Sequence, residues 1–241
     1  MPREFECRRE VELDATPEQV WEAVATAAGN EAWLFPNELP PADGSVDANG
    51  SRMTANDPPH HFGVRTEQGD WFNALEFVIE ARGGGKTLLR YAHSGVFQDD
   101  WDTQYDAVQA HTDFYLHTLG EYLRHFAGRT ATYVGDVPGG ITAPQASAAP
   151  DGFDRLTQAL GVADASEGDH VELSPDGLGP ISGVVDYARG PFLGIRTDDA
   201  LIRFFGRNAF GGPVAVVVHA FGDVDAESLR DAWRDWLAGV Y

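Results

Sequence analysis

The sequence predicts an α+β protein, in which a curved antiparallel sheet wraps around a long helix. Three observations predict this class. A strand of alternating polarity opens the chain, glycine-linked strands fill residues 60–97, and a long amphipathic helix follows Asp102. A similar but shorter series of strands, followed by a final helix, is predicted near the end of the chain.

The opening strand is indicated by strict alternation over residues 4–14. Its apolar face carries Phe5, Cys7, Val11 and Leu13, and its other face carries Glu4, Glu6, Arg8, Glu10 and Glu12. Arg9 falls on the apolar side. Its guanidinium either snorkels to the sheet edge or reaches a polar spot inside the domain.

A helix is predicted next, because Thr16-Pro17-Glu18-Gln19 has the pattern of a capping box with proline at the first helical position. Gly29-Asn30 is expected to end this helix. Trp33 and Phe35 follow, just before Pro36. Two aromatic side chains in such a loop either plug the end of a core or line the mouth of a cavity.

The middle of the chain predicts an antiparallel meander. Residues 37–59 are expected to form a loop with one weak strand near 51–55, before HFGVRTEQ at 61–68. Further strands are predicted at 72–81 and, after a triple-glycine turn, at 86–97. The long helix that follows should end before Gly128, and its apolar stripe is Val108, Thr112, Tyr115, Leu119, Tyr122, Leu123 and Phe126.

This order of elements is that of a helix-grip fold, and the sequence resembles the START-like (SRPBCC) superfamily over about residues 3–127. The resemblance rests on REVELDATPEQVWEAV, WLFP, NDPPHHFGVRTE, TLLRYAHSGV and LHTLGEYL. Within the superfamily it resembles the branch named after the activator of the heat-shock-protein-90 ATPase. Where that branch usually has a Gly-Trp pair in its closing helix, this chain has His111-Thr112. A bulky anchor is therefore missing, or it is supplied by Phe114 or Tyr115.

The chain spells nearly the same strand twice, as GVRTE at 63–67 and GIRTD at 194–198. Each copy is followed by two more predicted strands, a histidine-containing strand and an amphipathic helix. We therefore predict a START-like domain at 1–134, a Gly/Pro/Ala-rich linker at 135–152 and a truncated second copy at 153–241 that lacks the opening strand. The alternative is that two half-exposed strands share a pentapeptide because these residues suit such strands.

Composition narrows the classes of function. The net charge of −21 repels phosphate backbones and anionic headgroups, so nucleic acid and membrane surfaces are poor partners. No apolar run is long enough for a membrane helix. The single cysteine, Cys7, excludes an internal disulfide, and no secretory signal is evident, so a cytoplasmic protein is expected.

The resemblance implies an elongated apolar space between the sheet and the closing helix. The candidate ligand-binding residues are Trp33, Phe35, Phe77, Tyr91, His93, Phe114 and Tyr115. Each of them has an alternative explanation as ordinary core, which is the more common role of a large inward-facing aromatic side chain. His93, between Tyr91 and Gly95, is the one candidate for acid–base work, although a buried histidine is more often structural.

No metal site or cofactor is predicted. His60 and His61 should project to opposite faces of a strand, and His111 and His117 are six residues apart on a helix instead of the four typical of helical zinc pairs. Cys7 is expected to be a buried, inert thiol.

These patterns favour a non-catalytic protein that binds a small hydrophobic or aromatic molecule. One alternative, taken from the name of the branch, is co-chaperone-like binding to a heat-shock-protein-90-type ATPase. Another is a cyclase or hydrolase that uses His93. The truncated half is also expected to expose a sheet edge, which would be covered by the first domain or by a second chain in a homodimer.

Overall fold

The computed structural model describes residues 2–241 and divides the chain into two compact units. The first extends to Gly128, and the second runs from Arg129 to Tyr241. The segment 135–152, predicted as a linker, differs from that prediction because it belongs to the second unit. Its residues Ile141, Ala143 and Ser147 are buried there.

The first unit is a five-stranded antiparallel sheet with three helices. In chain order its elements are β1 (Arg3–Leu13), α1 (Pro17–Ala25), α2 (Ala27–Glu31), β2 (Ser51–Asp57), β3 (His61–Gln68), β4 (Trp71–Arg82), β5 (Lys86–Phe97) and α3 (Trp101–His125). The strand order is β1-β5-β4-β3-β2. This α+β arrangement of an antiparallel sheet and a long closing helix is compatible with the predicted helix-grip fold.

The predicted capping box starts α1. Thr16 Oγ1 accepts a hydrogen bond from the Gln19 backbone N–H, and Gln19 Oε1 accepts one from the Thr16 N–H. The helix ends earlier than predicted, because Thr26 interrupts it: its hydroxyl donates to Glu22 O and accepts from the Gly29 N–H. Gly29-Asn30 therefore lies inside a second short helix and does not end the first.

The two faces of the first sheet differ as alternation predicts. On the outer face, Glu10 pairs with Arg90 (2.8 Å) and Glu12 with Lys86 (2.6 Å) across β1 and β5. Each of these exposed ion pairs contributes little to the stability of the folded protein. The inner face, with α1 and α3, forms the core.

None of the helices in residues 2–241 is long and apolar enough to cross a membrane.

The second unit is a seven-stranded antiparallel sheet with two α-helices. Its elements are β6 (Thr132–Val134), β7 (Ile141–Thr142), α4 (Gly152–Ala159), β8 (His170–Leu173), β9 (Ile181–Arg189), β10 (Phe192–Arg196), β11 (Ala200–Phe205), β12 (Ala215–Ala220) and α5 (Ala226–Val240), with 3-10 turns at Gln145–Ala148 and Arg207–Phe210. The strand order is β6-β12-β11-β10-β9-β8, and β7 also pairs with β12.

The second unit also begins with a strand, although it was predicted to lack an opening strand. β6 lies antiparallel to β12, as β1 lies antiparallel to β5, and α4 follows it. With only three residues, β6 is too short to show alternation in the sequence, which is why the pattern did not reveal it. The edge of β12 is covered by β6 and β7, and an assembly role through the second unit stays a prediction.

The repeated pentapeptide marks the same structural feature in both sheets. In the first unit, Met53 pairs with Val64 and Ala55 with Gly63, which leaves Thr54 as a bulged residue on the preceding strand. A Cβ atom on Gly63 would lie 2.6 Å from Thr54 Oγ1. A larger residue would therefore force the Thr54 hydroxyl to move where the bulged side chain crosses the strand.

In the second unit, Gly194 pairs with Tyr187 and Ile195 with Val185, so Asp186 is the bulged residue. Asp186 forms a buried ion pair with Arg203 on β11, at 2.8 and 2.9 Å from Nη1, and the two side chains are 4% and 1% exposed. A Cβ atom on Gly194 would overlap both of them. The glycine therefore leaves room for the ion pair.

Replacing Gly194 with alanine should disrupt this ion pair. Because breaking a buried pair leaves uncompensated charge, we expect G194A to lower the free energy of unfolding by about 3 kcal/mol or more. Denaturant unfolding would measure it. The matched control is Gly239→Ala on α5, where an added Cβ meets nothing within 4 Å, so stability should be unchanged or higher by up to about 1 kcal/mol. Equal stability of G194A and the unchanged protein would contradict this account.

Candidate functional site

A cavity of about 340 Å³ lies in the first unit, between β4, β5, α3 and the segment after α2. This volume is within the usual range for small-molecule sites. Its walls are mainly aliphatic and aromatic. The lining residues are Trp33, Leu34, Phe35, Asn73, Leu75, Phe77, Tyr91, His93, Ala107, Val108, His111, Thr112, Tyr115 and Leu116.

Six of the seven residues proposed from the sequence line this cavity, namely Trp33, Phe35, Phe77, Tyr91, His93 and Tyr115. Phe114 is not part of its wall and is fully buried elsewhere. Helix geometry explains the difference: at 100° per residue, the lining residues of α3 occupy an arc centred near Tyr115, and Phe114 lies just outside that arc, about 20° beyond Ala107.

The loop after α2 closes one end of the cavity. Trp33 is 2% exposed, and its indole N–H donates to Ala23 O on α1 at 2.9 Å. This bond fixes the ring against α1, so that Trp33 both fills the end of the core and forms part of the cavity wall. Leu34 and Phe35 continue the same wall.

Aromatic rings form the sheet side of the cavity. Phe77 on β4 and Tyr91 on β5 meet edge to face with centroids 5.2 Å apart, and Tyr91 lies 6.5 Å from the His93 ring. Phe5 on β1 packs against His93 from behind, at 5.1 Å. Edge-to-face packing holds these rings in defined orientations.

His93 and Asn73 are a hydrogen-bonded polar pair in this wall. His93 Nε2 lies 2.7 Å from Asn73 Oδ1. Because an amide oxygen only accepts, this contact assigns the proton of the neutral ring to Nε2 and leaves the lone pair on Nδ1. Burial lowers the pKa of His93 from 6.5 to about 4, so the ring is neutral at physiological pH.

Tyr91 and Cys7 are also held in their neutral forms. Burial raises the pKa of the Tyr91 hydroxyl, which a hydrogen bond with Thr112 partly opposes. Burial likewise raises the pKa of the Cys7 thiol, against the opposing effect of the Arg9 charge. The thiol is therefore protonated at neutral pH, and reactive thiolate chemistry is disfavoured.

Helix α3 supplies the opposite wall. His111 and Thr112 both line the cavity. The His111 Nδ1–H donates to Ala107 O at 2.8 Å. Phe114 and Tyr115 were the two candidates for a bulky anchor on this helix. Of these, Tyr115 lines the cavity, and its ring centroid lies 6.2 Å from that of His111.

The sequence also contained signals for lining residues that we did not select. Asn73 lies two positions before Leu75 and four before Phe77, so strand alternation places it on the same inward face. Ala107 and His111 flank the predicted stripe of α3 that contains Val108 and Thr112. Leu34, in an irregular loop, had no periodic signal.

Arg9, the basic residue on the apolar side of β1, reaches polar partners on α3. Its guanidinium contacts both carboxylate oxygens of Asp113 on α3, at 2.5 and 3.2 Å, and Gln109 Oε1 at 3.3 Å. Another of its nitrogens donates to Cys7 Sγ at 3.4 Å. Arg9 thus joins β1 to α3 by a bidentate contact.

His61 lies outside the cavity and has a carboxylate as its neighbour. His61 Nε2 lies 2.9 Å from Glu76 Oε1 on the neighbouring strand. Within residues 2–241, no group of three or more His, Cys, Asp and Glu side chains is placed to hold a metal ion.

Comparisons with known proteins yield structural likenesses at low sequence identity. No protein-family model matches the sequence, and no curated protein matches it. Among solved structures, MLL2253 from Mesorhizobium loti is 22% identical, with 51% of this chain and 98% of that chain covered and a TM-score of 0.43.

Two further structures carry functional names. The Aha1 dimer from Colwellia psychrerythraea is 19% identical, covers 49% of this chain and 96% of its own, and has a TM-score of 0.39. The di-domain ARO/CYC BexL from the BE-7585A biosynthetic pathway is 15% identical, covers 97% of this chain and 93% of its own, and has a TM-score of 0.40. At such scores, the function of this chain has to be argued from its own cavity.

Proposed function

We propose that the first unit binds a small, uncharged hydrophobic or aromatic molecule in the cavity between its sheet and α3, without chemical conversion. The observation that carries the proposal is the cavity itself: about 340 Å³, with predominantly apolar walls and a few oriented polar groups. This combination is typical of small-molecule sites.

The charge state of the polar wall favours an uncharged ligand. His93 and Tyr91 are both neutral at physiological pH, because burial disfavours their charged forms. A charged ligand would lose its hydration without meeting a counter-ion at these two groups, which is costly. A ligand hydroxyl could instead donate to His93 Nδ1 while its rings contact Phe77 and Tyr91.

A catalytic role for His93, the alternative raised by the sequence, is less well supported. A general base is most effective when its pKa lies near the working pH. With a pKa of about 4, His93 is a weak base at neutral pH. Its partner Asn73 is neutral and cannot stabilise an imidazolium as a carboxylate would. The pair is better suited to orienting a ligand than to moving a proton.

We further propose that the chain is START-like and that its second unit is another copy of the same design. In support, the glycine of each repeated pentapeptide faces a bulge on the preceding strand. Each pentapeptide strand is followed by two antiparallel neighbours and a helix. A pentapeptide shared by chance would not require both the same position and the same irregularity.

Filling the cavity should weaken binding. Ala107 lines the cavity from α3, so A107F should lower the affinity for 2-naphthol, an uncharged aromatic alcohol, by at least about tenfold. Isothermal titration calorimetry would measure this affinity. The expected physical cause is direct occupation of the cavity by the new ring.

The matched control is Ala110→Phe, because Ala110 is a partly exposed alanine of the same helix that does not line the cavity. A110F should bind 2-naphthol as the unchanged protein does. If the unchanged protein does not bind the probe, or if both variants bind equally well, the proposed function is wrong.

The lowered pKa of His93 predicts a pH-dependent stability. Between pH 7 and pH 5 the unfolded chain protonates this histidine, whereas the folded protein, with a pKa of about 4, leaves it neutral. Stability is therefore lost as pH falls, and this group accounts for about 2 kcal/mol over that interval. The variant H93Q should lose that much less free energy of unfolding between pH 7 and pH 5. Parallel pH profiles for both proteins would show that His93 is not held neutral by the fold.

A further inference from the structure

The second unit contains a cavity of its own, of about 330 Å³. It lies between β9, β11, β12 and α5, beside the turn that joins β10 to β11. Its deeper walls are aliphatic, with the Trp233 ring of α5 on one side. No part of the first cavity contributes to it.

The register of the two sheets places the two cavities at corresponding positions. On β4, Glu76 lies opposite Gly63, and on β11, Arg203 lies opposite Gly194. The residue before Glu76 is Leu75, and the residue before Arg203 is Ile202, so these two residues correspond. Leu75 lines the first cavity and Ile202 lines the second.

The next strand continues the correspondence. His93 pairs with Leu75, and Val218 pairs with Ile202, so Val218 stands where the first cavity has its histidine. Both line their cavities, and each cavity is closed by the last helix of its unit. The second cavity therefore lies where the design of the first unit leaves a binding space.

The chemistry of the second cavity differs from that of the first. Ala200 and Val218 replace Asn73 and His93, so the inner wall lacks that hydrogen-bonding pair. Its polar groups lie instead at the turn, where Thr197, Asp198 and Asp199 line the opening. Neither carboxylate forms an ion pair with an Arg or Lys among the described residues, although the Thr197 hydroxyl donates to Asp199 Oδ1 at 3.0 Å. The Arg129 guanidinium contacts the backbone of this turn, where it donates to Asp198 O at 3.4 Å.

We infer that this second cavity is a separate binding site for an apolar amine, whose hydrocarbon body contacts Ile202, Val218 and Trp233 and whose ammonium group lies at Asp198 and Asp199. The aliphatic walls provide the affinity. The two carboxylates set the preferred charge, and the net charge of −21 acts in the same direction.

Fluorine NMR of the full-length protein labelled with 5-fluorotryptophan can observe this site directly. Trp233 lines the second cavity and Trp33 lines the first, and their resonances can be assigned with W233F and W33F. The probes are 2-naphthylmethylamine, 2-naphthylmethanol and 2-naphthoate, which share a ring system and differ in charge.

The amine should shift the Trp233 resonance saturably. Its affinity should exceed that of the alcohol by about twofold to fivefold, as expected for a partly exposed charge pair, and the carboxylate should bind most weakly. The double variant D198N/D199N should bind the amine and the alcohol equally. Equal affinities for all three probes in the unchanged protein would overturn the preference for an amine.

Blocking the second cavity separates this site from the first. A220F places a ring inside it, and V224F does so from a loop, where insertion is less disruptive to folding. Both should abolish the Trp233 response and leave any Trp33 response unchanged, whereas Ala238→Phe, at an exposed position of α5, should change neither. No Trp233 shift with any probe, or a shift that persists in both blocked variants, would overturn the second site. A107F tests the first cavity separately, so failure of one site is distinguishable from failure of the other.

Discussion

The close approach of a bulged strand to a glycine is the constraint on which both units depend. A bulge adds a residue to one strand, bends it and increases its twist. In each sheet the bulge is on the strand before the pentapeptide, and a side chain crosses the glycine: Thr54 over Gly63, and Asp186 over Gly194. A sheet bent in this way cannot follow a straight helix along its whole length, and the space that remains is available to a ligand.

Two contacts hold the walls of the first cavity in position. At one end Trp33 is bonded to α1, and along the side Arg9 joins β1 to Asp113 on α3. Arg9 is the register partner of Tyr91, a cavity residue. Its bidentate contact therefore holds α3 beside the wall that contains Tyr91, and the small side chains Ala107 and Thr112 leave the space between them open.

Much of the fold could be predicted because periodicity is a local property of the sequence. Alternation located β1, and the Thr16–Gln19 pattern located the start of α1. The candidate site was predicted less completely: Phe114 shares an apolar helix with the lining residues, and hydrophobicity alone does not say which partner an apolar side chain meets. Segment 135–152 was misread because its contacts are non-local. Ser147 Oγ, for example, accepts a hydrogen bond from the Val214 N–H, 67 residues away.

The two sheets can also be compared at the strand positions of the His93–Asn73 pair. At the corresponding positions the second sheet has Val218 and Ala200, and its strands pair in the same antiparallel register. An apolar pair therefore satisfies the packing of this corner, whereas burying an imidazole and an amide has a desolvation cost that their mutual hydrogen bond only offsets. On the proposal that the second unit repeats the design of the first, the polar pair is an addition to a wall that would otherwise be apolar, and this supports the proposed ligand.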